Sequence, residues 1–96
     1  MYYNYNQKLD MGFVCLHEDH CAMFEALDNG VIILHPVGGK DIVGIEISGI
    51  SDWVNNPIRR KELASTIATL DGFTEKQQDD IFNYFVKSVL NLKKED

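Results

Sequence analysis

Little in this chain points to chemistry of its own. Two cysteines, Cys15 and Cys21, are too few for a disulfide framework. The longest aliphatic run is Val31-Ile32-Ile33-Leu34, far short of the roughly twenty apolar residues a membrane span needs. The opening MYYNYNQKLD carries neither a basic nor an apolar segment, so no signal peptide is expected. There is no internal repeat, low-complexity tract or linker. No G-x-S-x-G or similar element places a nucleophile. The carboxylate pairs Glu18-Asp19 and Asp79-Asp80 are sequence neighbours, which do not face each other on a helix. The expectations are a cytosolic, cytoplasmic protein with reduced thiols, without enzyme activity and without a cofactor.

What is present is an ordinary globular composition: 96 residues, 45% hydrophobic, 25% charged. That is too apolar for disorder and of a size for a single domain over 1–96. Such a chain buries roughly 60–70% of the surface its unfolded form exposes, enough for one modest core.

The charge is lopsided. Residues 1–48 hold Lys8 and Lys40 against Asp10, Glu18, Asp19, Glu25, Asp28, Asp41 and Glu46, a balance of -5 out of the total -6. An acidic half repels nucleic acid and membranes and attracts basic surfaces.

The second half reads as two helices. Thr74-Glu75-Lys76-Gln77 fits a capping box. Ile81, Phe82, Phe85, Val86, Val89 and Leu90 then follow at helical spacing, so a helix is expected over 75–93. Asn56-Pro57 fits a cap and first helical position, and Leu63, Ala64, Ile67, Ala68 and Leu70 share a face, giving a helix over 57–70. Gly72 is expected to stop it in a left-handed conformation, so that the two helices form a hairpin.

The first half reads as sheet. Val31–Val37 and Ile42–Ile47 are rich in β-branched residues and flank Gly38-Gly39-Lys40, a hairpin. Gly12–Leu16 is a third strand. Residues 17–28 are ambiguous. They contain no β-branched residue, which favours helix, yet Asp28-Asn29-Gly30 is also good hairpin chemistry. The expected fold is a small α+β domain: a three- or four-stranded, mostly antiparallel sheet covered on one face by the C-terminal helical hairpin. Trp53, in a turn over 51–56, would plug the seam.

Four local clusters have a functional and a plainer reading. Cys15, His17, His20 and Cys21, with His35, are ligand-type side chains, but their spacing is irregular and lacks the paired C-x-x-C of a zinc site. Small core cysteines and solvated histidines explain them more simply, and no metal is assigned. Arg59-Arg60-Lys61 opens a helix, where the dipole disfavours cations. It is an anion site, or it is neutralised by Asp52 and Glu62. Val37-Gly38-Gly39-Lys40-Asp41 lacks the phosphate-loop frame and reads as a turn. Tyr2, Tyr3 and Tyr5 form either a docking segment or an edge strand.

Lys61-Glu62-Leu63-Ala64, Ile67-Ala68, Gly72-Phe73-Thr74-Glu75-Lys76, Ile81 and Phe85 resemble the opening helix–turn–helix of the HU/IHF family, over about a third of the chain. The resemblance implies helices that build a homodimer core. With the chain ending at Asp96, the DNA-gripping arms that follow those helices in that family are not expected here.

Three functions are in play. The first is a non-enzymatic inhibitor of the anti-CRISPR, anti-restriction or toxin-immunity kind, a DNA mimic. It would occupy a basic, nucleic-acid-handling protein through Asp10, Glu18, Asp19, Glu25, Asp28, Asp41 and Glu46. It would bind no nucleic acid and no membrane directly. The second is a metal-binding regulator built on His17, His20 and Cys21. The third is an anion or nucleic-acid binder using Arg59, Arg60 and Lys61.

Overall fold

The computed structural model describes residues 1–16, 23–36, 38, 39 and 41–95, with Met23 and residues 92–95 as backbone only. Five strands, β1 (Tyr2–Asn6), β2 (Met11–Cys15), β3 (Met23–Ala26), β4 (Ile32–His35) and β5 (Gly44–Ser48), precede three helices, α1 (Ile50–Asn55), α2 (Pro57–Ala68) and α3 (Glu75–Glu95). The strands form one antiparallel sheet in the order β1-β2-β5-β4-β3. β1 and β3 are therefore its edges.

The register sorts side chains by face, because successive residues of a strand point to opposite sides. Tyr3, Val14, Ile45 and Ile33 lie in one row across β1, β2, β5 and β4. That row, with Ile47, faces the helices and packs with Ile50, Trp53, Val54, Leu63, Ile67, Leu70, Ile81 and Phe85. The other face carries the rows Tyr2–Cys15–Gly44–Leu34–Phe24 and Asn4–Phe13–Glu46–Ile32–Ala26. None of those residues joins the core cluster.

Helix starts obey the local chemistry. Thr74 N–H donates to Gln77 Oε1 at 2.8 Å and Gln77 N–H to Thr74 Oγ1 at 3.1 Å, both halves of the capping box. Asn56 Oδ1 accepts from the N–H groups of Ile58 and Arg59, with Pro57 at the first helical position.

Four expectations change. The sheet has five strands because Tyr2–Asn6 pairs along β2 as well. Residues 23–26 are strand, not helix; the rest of the ambiguous stretch, 17–22, lies outside the described residues. The hairpin closes through Leu27 N–H to the Val31 carbonyl (2.8 Å), with Gly30 left-handed at φ 91°. Residues 50–55 are a short helix, and Trp53, 2% exposed, enters the core from it rather than from a turn. α2 ends at Ala68, and Gly72 is not left-handed: the glycines with positive φ are Gly30, Gly38 and Gly49. Carbonyls near the end of α2 are met by i−3 bonds from Thr69 and Leu70 and by the Thr69 hydroxyl. Gln78 Nε2 serves the Leu70 carbonyl just beyond it at 3.0 Å. Gly72 is needed for space instead, since a Cβ there would collide with the Ile42 carbonyl oxygen. Gly12 is a second such place: its absent side chain leaves room for the Phe85 ring of α3, 2.5 Å from where a Cβ would sit.

Candidate functional site

The five described carboxylates of the first half, Asp10, Glu25, Asp28, Asp41 and Glu46, do not share one face of the sheet. Asp10 is consumed within the fold. It closes the β1–β2 turn in a left-handed conformation (φ 52°), which a short polar side chain tolerates. Its carbonyl accepts from the N–H groups of Gly49 and Ile50, and its carboxylate from Ser51 N–H (3.1 Å), Ser51 Oγ (2.5 Å) and Tyr5 Oη (3.1 Å). Glu25 stands on the β3 edge, on the helical side, with Oε1 2.9 Å from His35 Nε2; His35 Nδ1 lies 3.0 Å from the Asp41 carbonyl. Glu46 projects from the opposite face of the sheet. Asp28 lies in the turn before β4 and Asp41 beyond the other end of β4. Glu18 and Asp19 lie outside the described residues.

The basic cluster is largely occupied. Arg59 Nη1 reaches Asp52 Oδ2 at 2.6 Å, and its guanidinium sits 4.0 Å above the Trp53 ring. Arg60 Nε donates to the Val54 carbonyl at 2.6 Å. Lys61 is exposed. Cation–π and ion-pair contacts thus offset the unfavourable dipole at this helix start.

His17, His20 and Cys21 lie outside the described residues. Cys15 is buried in β2, and no group of three His, Cys, Asp or Glu side chains assembles among the described residues. Gly38 is left-handed and Gly39 N–H closes on the Pro36 carbonyl, a turn, with Val37 and Lys40 outside the description. Tyr3 and Tyr5 are half-buried in an ordered edge strand; Tyr3 packs on Tyr84 of α3 at 4.7 Å between centroids. Burial raises the Tyr3 phenol, with Asp80 adding to it; burial likewise raises Tyr5, and then its bond to Asp10 and the Asp10 charge.

Two surface grooves among the described residues bear on a binding role. One, of about 370 Å³, runs between α2 and α3, with Ala64, Ile67, Ala68 and Phe82 as apolar floor and Glu75, Gln78 and Asp79 as lip. The other, of about 350 Å³, lies on the sheet face away from the helices, among Tyr2, Asn4, Asn6, Leu9, Met11, Phe13 and Glu46. Neither holds a nucleophile beside a base. Among the described residues, no buried side-chain nitrogen or oxygen lacks a hydrogen-bond partner, so no orphaned group aims into either groove.

Carboxylates from both halves of the chain border α2, on two of its flanks. Asn29 Nδ2 donates to Thr66 Oγ1 at 3.2 Å, which fastens the Asp28 turn to α2 one helical turn from Glu62. On the other flank of α2, Glu75 and Asp79 line the groove. Asp71 stands in the connection between the two helices. None of these five pairs with a described cation; the ion pairs among the described residues are Glu25–His35, Asp52–Arg59 and Lys76–Asp80. Dipole logic accounts for Glu75 along the chain, Glu62 belongs to α2 itself, and only a contact between distant segments adds Asp28.

Comparison with protein-family models, with curated proteins and with solved structures gave no significant match.

Proposed function

We propose that this chain is a non-enzymatic, acidic protein-binding inhibitor. It occupies the basic, nucleic-acid-binding surface of a partner by presenting carboxylates where phosphates would lie, in the manner of anti-CRISPR, anti-restriction or toxin-immunity proteins. One observation carries the reading: Asp28, Glu62, Asp71, Glu75 and Asp79 border α2 with no described cation paired to them. Unpaired surface carboxylates raise association rates with basic surfaces and cost little to desolvate at a rim. Asp10 takes no part, because Ser51 and Tyr5 already hold its oxygens. Two cations neighbour these acids along the chain, Lys61 beside Glu62 and Lys76 beside Glu75, and Lys76 lies 3.8 Å from Asp80.

The test is kinetic. Affinity purification with mass spectrometry identifies the partner, and association is then measured at several salt concentrations. Reversing Asp28, Glu62, Glu75 and Asp79 to Lys should slow association about tenfold or more at low salt, with the difference shrinking as salt screens it. Reversing Glu25, Asp41 and Glu46 together, three carboxylates away from α2, should have a smaller effect per charge reversed. A partner that is not basic, or an on-rate indifferent to salt and to both sets, would overturn the proposal.

A further inference from the structure

The outer edge of β1 is built to accept a strand. Its five residues, Tyr2-Tyr3-Asn4-Tyr5-Asn6, pair with β2 on one side in an unbroken register. On the other side no strand of the described residues follows in the sheet order. Edge strands in soluble proteins are usually blunted by charge, proline or a bulge, because their open N–H and C=O groups recruit other chains. β1 carries none of these devices. Three of the large hydrophobic side chains most exposed in the described structure, Met1, Tyr2 (39%) and Leu9 (64%), stand at this edge or on its hairpin turn. Tyr2 and Leu9 also line the groove on the open sheet face.

We propose that β1 pairs with β1 of a second copy of this chain, antiparallel about a two-fold axis through Asn4, joining two sheets into one of ten strands. The argument for a second copy, rather than another partner, is complementarity of the strand with itself. The register that overlaps all five residues sets Tyr3 against Tyr5 of the partner and Tyr5 against the partner's Tyr3, on the face that carries Tyr84. On the other face it sets Asn4 against the partner's Asn4 and Tyr2 against the partner's Asn6. Aromatic pairs and amide pairs are among the favourable cross-strand neighbours. An isologous contact of this kind closes after two copies.

Charge points the same way. Each copy carries -6, so most approaches of two copies are repulsive. β1 is uncharged along its length. Of the charged groups around it, Asp80, which bears on Tyr3, lies 3.8 Å from Lys76, Asp10 is tied to Ser51 and Tyr5, and Glu46, on the groove of the open face, stands on β5, two strands in from the edge. Lys8 sits in the turn, beyond the strand's end and away from the axis. The edge is thus a place where two acidic molecules meet without opposing like charges. It also leaves the carboxylates around α2 free, so the inference stands apart from the proposed function.

Sedimentation equilibrium with reductant present, so that the cysteines cannot cross-link, tests it. A five-residue edge buries less than a standard interface, so the mass should rise from monomer to dimer between about 10 µM and 1 mM. Asn4→Lys sets two ammonium groups together at the axis and should hold the chain monomeric over that range while leaving its circular dichroism unchanged. Hydrogen exchange on the unaltered chain is the second readout: β1 amides should slow as concentration rises, and β3 amides should not. A chain monomeric throughout overturns the proposal. So does a dimer that survives Asn4→Lys with native dichroism. If Asn4→Lys unfolds, exchange decides, and β1 protection independent of concentration in a dimeric sample overturns the proposal as well.

Discussion

Asp10 shows how much one side chain can join. It ends the β1–β2 turn, and its oxygens supply the acceptors that α1 lacks, since Gly49 at that helix start has no side chain to offer. A carboxylate at a helix start satisfies open N–H groups and meets the positive end of the dipole. Asp10→Ala should therefore lower unfolding free energy by about 2 kcal/mol, the sum expected of a lost cap and a lost charged hydrogen bond. Asp10→Asn keeps an acceptor and tolerates the left-handed backbone, so it should lose less than half of that. Urea denaturation of both variants checks the order; equal losses would mean that charge alone matters there. From the chain, Asp10 reads as one more free acid. Its partner at the helix start, Ser51, lies 41 residues away, and no local pattern announces such a pairing.

Elements that draw on local rules were legible, and those that depend on distant partners were not. The capping box at Thr74, the Asn56-Pro57 start and the apolar stripe of α3 all act within one or two helical turns. β3 is different. Its sequence, MFEA, has no β-branched residue, and it becomes a strand because β4 offers a ladder and Asn29-Gly30 turns the chain onto it. Asn29 is the device: Oδ1 accepts from Val31 N–H at 3.1 Å and Nδ2 reaches Thr66 on α2. Asn29→Ala removes both bonds and should cost about 1–2 kcal/mol. Hydrogen exchange should quicken in the β3–β4 hairpin and stay unchanged in α3. A uniform change across both elements would show that the hairpin is not a separate unit.

At the scale of the whole molecule, packing between α3 and the sheet sets an alkaline limit. Burial raises both phenols above their ordinary value of 10.0, with Asp80 adding to it at Tyr3, which packs against Tyr84, and the bond and charge of Asp10 adding to it at Tyr5. A raised folded-state value means that the fold favours the protonated ring. That contribution is complete below pH 10 and is lost as pH climbs through the folded-state values. Ultraviolet titration should show Tyr3 and Tyr5 ionising later than in the urea-unfolded chain, and Tyr5→Phe should delete one late transition. Stability to urea should fall on the alkaline side of pH 10. Four phenols titrating together at the unfolded value would remove this account. Charge, too, is a property of this scale. Counted along the chain, acid is concentrated before residue 49. In space, the described members of that set divide between the two faces and the two ends of the sheet, while a second set assembles around α2.

By itself the sequence determined the α+β class, the two long helices with their starts, the β4–β5 hairpin and the buried face of α3. These follow from spacings of two to four residues and from side chains that bond their own neighbours. On α2 the sequence picked Leu63, Ile67 and Leu70 correctly but also Ala64 and Ala68, which are exposed, and not Thr66, which is buried. Tertiary structure alone decided the fifth strand, the identity of β3, the purpose of Gly72 and Gly12, the duty of Asp10 and the grouping of carboxylates around α2. Each of those depends on atoms brought together from far along the chain, where the free energy of contact, not local preference, selects the conformation.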